Sequence, residues 1–451
     1  MAHELSTVSI EAGRRAAVSR LLQRMVSPLC GLDESVSFSL RGRHDPRFVV
    51  AGAQLTGVHR LLGLDQAGSY HIGGTGTLRD EALIRTLGET VERYSQLVAP
   101  VSGHYETRRA PAASLRDSGQ HVLPATPYEP FASEQYARSD FPFASLSIDQ
   151  PIDWVRAWSV FDVGPAWIPS QLAFVGYQVA EHEPWIGASV TTGCAAHTDR
   201  WKAVHNALME LVVVDAAMGH WYSAAPAQRI VLDARTASLN ALMERHVAGS
   251  SYDPCFFLLP SPGFDTFVVA CLFRARDRAT PLVALGLGGD GVLERAMYKA
   301  LVEAVATVQL GKMLAISPQL IGAAIPSTGV DPARIYDFDG NVAYYGEATA
   351  AMIVLSRFDG ESAVRAHDLA PDRDLDPAQA VREALAWFGE QRMDLVALDC
   401  TTVDARQLGF VAYRLWSPDT IGLCPPSAPP LAHERFLAYG GAERADPHPY
   451  P

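Results

Sequence analysis

The sequence predicts a mixed α/β fold, in the α+β sense of a mixed sheet system interleaved with helices. Three observations carry that expectation. Short runs rich in β-branched and aromatic residues, such as "FDTFVVACLF" and "MDLVALDCT", alternate with longer stretches whose apolar residues recur at helical spacing. A turn-and-helix unit recurs three times. The motifs of the Rossmann and P-loop folds are absent or incomplete.

With 451 residues, 48% of them apolar and 9% aromatic, the chain can bury more core than one domain of typical size uses. Its apolar runs, such as "LVVVDAAM", fall well short of the roughly 18 to 20 residues of a membrane-spanning helix, so no bilayer association is expected. The first 25 residues scatter arginines through an amphipathic pattern, with no apolar block and cleavage site behind them, which predicts a cytoplasmic protein. Six cysteines without a CxxC pair argue against a zinc ribbon or a disulfide framework and predict buried apolar fillers. A net charge of −13 with no run of Lys or Arg excludes a nucleic-acid surface. A phosphate ligand on such a chain needs a metal or a few local arginines.

Taken in order, residues 1–60 read as an N-terminal extension. It has a helix over Val8–Met25 (Ala17, Leu21, Leu22 and Met25 at helical spacing), a break at "SPLCG" and a strand at "RFVVAGAQL". Residues 61–430 form the main domain. Within it, the Pro-, Ser- and Ala-rich stretch 101–150 predicts a surface insertion rather than a core element. Further strands are expected at "RIVLDA", "FDTFVVACLF", "TPLVALGLG", "NVAYYGEA", "MDLVALDCT" and "GFVAYRLWS". Residues 431–451 form an arm ending in "DPHPYP". Alternate prolines fix φ near −65°, so this end is either a solvated tail or a stiff polyproline II segment that holds its terminal carboxylate at a fixed point.

The repeated unit reads Ala, four residues, Leu, one residue, Glu. It occurs as Ala82–Leu87–Glu89, Ala203–Leu208–Glu210 and Ala296–Leu301–Glu303, each behind a loop of glycine and small residues. A single match means little, because Ala, Leu and Glu are the commonest helix formers. Three matches behind three such turns predict a turn, a helix and a glutamate about four turns along that points into a shared cavity. If Glu89, Glu92 and Glu210 converge, a cation must lie among them, since two like charges about 4 Å apart cost roughly 4 kcal/mol at an effective dielectric of 20. Oxygen ligands without His or Cys suit Mg2+ completed by phosphates. Arg93 can serve as a planar fork for carboxylate or phosphate. The alternative is a solvated, salt-bridged helix face.

The string "GLGGDG" fits GxGxxG through Gly286, Gly288 and Gly291, after a strand and before a helix. A dinucleotide fold would place an acidic residue roughly 20 positions on, and "VATVQLGKMLAISPQLIG" has none. No Gly-x4-Gly-Lys-Ser/Thr string occurs, so a nucleotide would bind in some other way.

Residues Gly73–Gln96, "GGTGTLRDEALIRTLGETVERYSQ", resemble the signature of the YcaO family, in which a Gly-Lys-Gly turn precedes an Ala-rich helix ending in ExxER. With "TTGCAAHTD", "ALMELVVVDA", the third repeat, "LDCTTVD" and "PHPYP", the resemblance spans roughly residue 50 to the end. The azoline-forming cyclodehydratase branch, which makes rings in thiazole- and oxazole-modified peptides, is the most similar. The resemblance implies a YcaO-type fold around an ATP and Mg2+ site. It also implies cyclodehydration of Cys, Ser or Thr in a ribosomally made precursor peptide, through phosphorylation of the backbone amide oxygen. It assigns the metal to Glu89, Glu92 and Glu210, and the nucleotide to Gly74, Thr75, Gly76, Arg93, Glu210 and Glu303. Catalysis falls to Arg93 and to the Pro451 carboxylate as a base. Further partners implied are a leader-binding protein resembling ubiquitin-activating enzymes (ThiF-like), a flavin dehydrogenase and a second copy of the chain. Thioamide or amidine formation and a non-catalytic scaffold role stand as alternatives.

The sequence departs from the family pattern at Thr75, Arg85, Lys202, Asn206, Val213 and Val214. These changes remove carboxylates and add positive charge. Either the nucleotide is gripped differently here or it is gripped weakly.

Overall fold

A computed structural model describes residues 15–65, 70, 72–124, 128–161, 164–181, 183–276, 279–321 and 331–450. Among these the strands form three sheets. The first is an antiparallel sheet of β1 (Asp33–Phe38), β2 (Val49–Leu55) and β3 (Ile72–Gly76), in that order. The second contains β4 (Thr107–Pro111), β5 (Pro151–Ser159), β6 (Gly164–Pro169), β7 (Cys194–His197), β13 (Val396–Asp399) and β14 (Val411–Trp416). It runs β4-β5-β13-β14-β7, with β6 also paired to β5. The third contains β8 (Gln228–Val231), β9 (Tyr252–Leu258), β10 (Phe267–Ala275), β11 (Val283–Asp290) and β12 (Ser362–Arg365), ordered β11-β10-β9-β8-β12. Only the β8–β12 pair is parallel among these described pairings.

An N-terminal helix, α1, covers 15–25. Three long helices follow strands directly: α2 (Arg79–Val98) after β3, α3 (Arg200–Tyr222) after β7 and α4 (Leu293–Ile321) after β11. These are the three repeated units. Helix α3 is apolar almost all round because it lies between two sheets, sharing one core with Ala195 and Leu415 on one side and Ala270 and Leu285 on the other. Its start is capped by the Asp199 carboxylate, which accepts the N–H groups of Trp201 and Lys202 at 2.8 and 3.0 Å.

The glycines of the strands let the helices lie directly on the sheet backbone. A Cβ on Gly74 would stand 2.4 Å from Ala82 O, and one on Gly288 would stand 2.3 Å from Ala296 O. Gly286 and Gly288 therefore sit inside β11 as packing residues against α4, not in a phosphate-binding loop.

Two expectations change, and an alternative left open by the sequence narrows. The segment "NVAYYGEA" does not form a strand: α5 (Phe338–Tyr345) runs through it. The Asp337 carboxylate accepts Gly340 N–H at 2.6 Å, and Val342 and Tyr345, three residues apart, share the buried face. This packing overrides the β-propensity of Val and Tyr. The stretch 101–150 also reaches the core, because β4 pairs with β5 and Leu115 and Val122 are buried with Ile152 and Trp154. The arm is no loose tail over its described part, since residues 447–450 are buried. Trp221 Nε1 donates to Asp446 O at 2.9 Å, Asn341 Nδ2 to His448 O at 2.7 Å, and the Tyr345 hydroxyl to Pro447 O.

Candidate active site

A cavity of about 920 Å3 opens where the first sheet meets α2 and α4. Its walls include Ser35, Gly74 and Thr75 from the sheet, Arg85, Glu89 and Arg93 from α2, Lys299, Glu303 and Thr307 from α4, and Phe338 and Asp339 at the start of α5.

The recurring glutamate has a specific structural task in two of the three units. The Gly73 N–H donates to Glu89 Oε2 at 3.1 Å, and the Leu287 N–H donates to Glu303 Oε2. In both units the pair is separated by 16 residues, so each helix returns a carboxylate to the free edge of its own strand. Glu89 and Glu303 are thereby held in the cavity wall with oxygen lone pairs to spare.

Arg93 organises the carboxylates of α2. Its Nη2 donates to Glu89 Oε1 at 3.1 Å, and its Nη1 lies 3.7 Å from Glu92 Oε1. Burial opposes the charge on Arg93, but Glu89, Glu92 and Glu210 outweigh it and raise its pKa. Glu92 and Glu210 are not in the cavity wall; they act on Arg93 from behind it. Burial raises Glu92 to about 7, with Glu89 adding to the rise and Arg93 opposing it. Burial, reinforced by Glu92, holds Glu210 well above the usual carboxylate range. Glu303 rises to about 7, again through burial. A cation that joined this cluster would favour the ionised carboxylates and offset part of their desolvation.

Gly74 and Thr75 line the cavity as the resemblance implies, whereas Gly76 is not among the lining residues and packs beneath the Glu81 side chain. Among the described residues no three His, Cys, Asp or Glu side chains form a group that could hold a metal ion. Glu89 and Glu92 instead converge on Arg93. Pro451 lies outside the described residues. Of the departures, Arg85 lines the cavity, Lys202 and Asn206 are exposed, and Val213 and Val214 are buried in the core of α3.

The residues present fit a nucleotide phosphate with Mg2+. Thr75 Oγ1, Ser189 Oγ and Arg93 Nη1 are buried without a hydrogen-bond partner, and all three belong to cavity-lining residues. Such atoms call for an external partner. The nearby ligand atoms are carboxylate oxygens, the donors that hard cations select.

Sequence reasoning missed three features. Lys299 lines the cavity one turn before Glu303, and its ammonium donates to Asp290 at 2.9 Å. Arg414, buried in β14, donates to Val190 O and Cys194 Sγ and acts electrostatically on Glu92 and Glu210. A lone arginine in the apolar run "GFVAYRLWS" was the available signal. Ser35 and Ser37 of β1 and Ser39 just past its end line the cavity, a period-2 pattern visible in "SVSFS".

The sequence profile of the YcaO cyclodehydratases, described as ATP- and Mg2+-binding, matches residues 73–421. The chain belongs to the YcaO family. At the level of the family, ATP and Mg2+ are its cofactors. Solved structures agree on the fold. A heterocyclase in complex with substrate and cofactor superposes with a TM-score of 0.68 at 19% identity, covering 96% of this chain and 56% of that one. The YcaO protein of Methanopyrus kandleri bound with AMPPCP and Mg2+ gives 0.56 at 18%, covering 91% and 89%. The E. coli microcin synthetase McbBCD complex with pro-MccB17 bound gives 0.58 at 14%, covering 95% and 99%. This YcaO chain spans little more than half the length of the heterocyclase. No curated protein sequence matches it. Among the described residues no helix is long and apolar enough to cross a membrane.

Proposed function

We propose that this YcaO chain is an ATP-dependent peptide cyclodehydratase that turns Cys, Ser or Thr residues of a ribosomally made precursor peptide into thiazoline or oxazoline rings. The reading rests on the cavity whose wall brings Glu89, Glu303 and Arg93 together with Thr75 and Ser189, whose hydroxyls are buried without a hydrogen-bond partner.

ATP with Mg2+, when bound, supplies the phosphoryl group that converts the amide oxygen into a leaving group as the ring closes. The chain's part is positioning and electrostatics. Glu89 and Glu303 offer the metal oxygen ligands. Arg93, held by Glu89 through Nη2 and by Glu92 through Nη1, brings its positive charge to the cavity wall for a phosphate. Glu92 and Glu210 keep that guanidinium charged and oriented from behind, and the Thr75 and Ser189 hydroxyls complete the polar lining. The buried arm supports α5, whose Phe338 and Asp339 face the cavity and whose Asn341 holds the arm.

The McbBCD complex binds its precursor together with partner subunits, which supports a precursor peptide and a leader-binding partner here as well. Six free cysteines fit residence in the reducing cytoplasm. The test combines the chain with ATP, Mg2+, a partner and a candidate peptide. Peptide-dependent phosphate release and loss of one water per ring support the reading, and a scaffold subunit would give neither.

A further inference from the structure

The two outer edges of the first sheet are treated differently. On the β3 side, the outward N–H of Gly73 is occupied by Glu89. On the β1 side, Ser27 N–H covers the start of the strand by donating to Asp33 O at 2.9 Å. Beyond that point, among the described residues, no strand pairs with the outer side of β1. The phase of the ladder follows from Ser39, whose N–H donates to Val50 O at 2.9 Å. Antiparallel partners alternate, so Ser37 also faces β2 while Val36 and Phe38 turn their N–H and C=O groups outward. An open edge of this kind is a template for another strand.

Three features set what the edge fits. The side chains of Ser35, Ser37 and Ser39 line the cavity, so the strand forms part of the wall of the proposed reaction site. Two apolar side chains stand near the edge's far end, Phe38 at 38% and Leu40 at 95% exposure. Around that end the chain, otherwise acidic at −13, is basic: Arg41 and Arg43 are exposed, and the Arg79 guanidinium lies 5.3 Å from the centre of the Phe38 ring.

We infer that the open edge of β1 docks an extended, acidic segment of the peptide substrate as a fourth strand, which feeds the reacting residue into the cavity beside it. The inference rests on the proposed peptide chemistry for the identity of its occupant. Strand addition draws affinity from main-chain hydrogen bonds and so tolerates varied side chains, which suits a substrate modified at several residues. The arginines set the charge of the docked segment through local electrostatic complementarity.

The test uses the full chain without ATP, with a short synthetic peptide of alternating Thr and Glu as the probe and the Thr–Lys counterpart as control. Hydrogen exchange is read at the Val36 and Phe38 amides. Saturation with the Thr–Glu probe slows both at least about tenfold, because the bonded amides exchange only on opening. Val36→Pro removes an outward donor while leaving the β2 ladder intact, and weakens probe binding about tenfold or more with an unchanged melting temperature. The pair Arg41→Glu with Arg43→Glu shifts preference towards the Thr–Lys peptide, which keeps the inference testable if the proline variant misfolds. Unprotected Val36 and Phe38 amides at saturation, or equal binding of both peptides, overturn it. So does protection that rises with protein concentration alone, which would mark the edge as a contact between two copies. Because binding is read without turnover, a chain that docks the probe yet releases no phosphate would refute the catalytic reading and not the docking edge.

Discussion

Arg93 holds its place in the site through geometry as well as charge, since one guanidinium spans Glu89 through Nη2 and Glu92 through Nη1. Arg93→Lys keeps the charge but loses the planar fork. We expect ATP-dependent phosphate release to fall about 100-fold, with the melting temperature little changed; removing one preorganised donor commonly costs that much. A variant that keeps full activity would remove Arg93 from the site. Glu89, Arg93 and Glu303 were legible in the sequence because a fixed spacing within one helix sets which face a side chain takes. Lys299, one turn before Glu303 on the same helix, was legible by the same spacing and was missed, whereas Arg414 offered only a lone arginine in an apolar run, because nothing local says that β14 passes behind α2; that neighbourhood is made by sheet pairing over hundreds of residues. The placement of Glu92 and Glu210 behind the wall was equally hidden, because it depends on how α2 and α3 face each other.

At the scale of elements, the close seating of helix on strand gives a sharp test. Gly288→Ala puts a methyl 2.3 Å from Ala296 O, where backbone must move, and we expect destabilisation of about 3 kcal/mol, the upper part of the range for overpacking. Gly88→Ala, inside α2 with nothing within 4 Å of its Cβ, is expected to gain about 0.5–1 kcal/mol. Urea midpoints of the two variants should move in opposite directions; a shift of Gly288→Ala towards higher urea would contradict the seating. The arm and α3 add a pH dependence. Burial lowers His448 and His220 to about 4, so both stay neutral in the folded chain at neutral pH. Their stabilising share is complete above the unfolded value near 6.5 and is lost as pH falls from there towards 4, by up to about 1.4 kcal/mol per pH unit for each group. His448→Phe should flatten the acid side of the stability profile; an unchanged slope would mean that His448 is not buried neutral. The strands "RIVLDA", "FDTFVVACLF" and "GFVAYRLWS" were readable because their apolar runs match their environment. "NVAYYGEA" was not, because its helix is decided by the Asp337 cap and by contacts with the arm far along the chain.

For the whole molecule, two of the three strand–helix units bring Glu89 and Glu303 from separate parts of the chain to one cavity, Glu210 of the third acts from behind it, and the YcaO profile covers that framework from 73 to 421. The mixed α/β class and the thrice-repeated unit were visible in the sequence. The order of the three sheets was not, since it is set by long-range pairing such as β13 with β5 and β14 with β7. The central claim is that this framework uses ATP to form rings in a peptide. The measurement that tests it most directly is the mass of a precursor peptide after incubation with the chain, its leader-binding partner, ATP and Mg2+. The account predicts loss of one water per modified Cys, Ser or Thr, abolished when ATP is omitted and strongly reduced in Arg93→Lys. An unchanged peptide mass, with a partner shown to capture the leader, would contradict it.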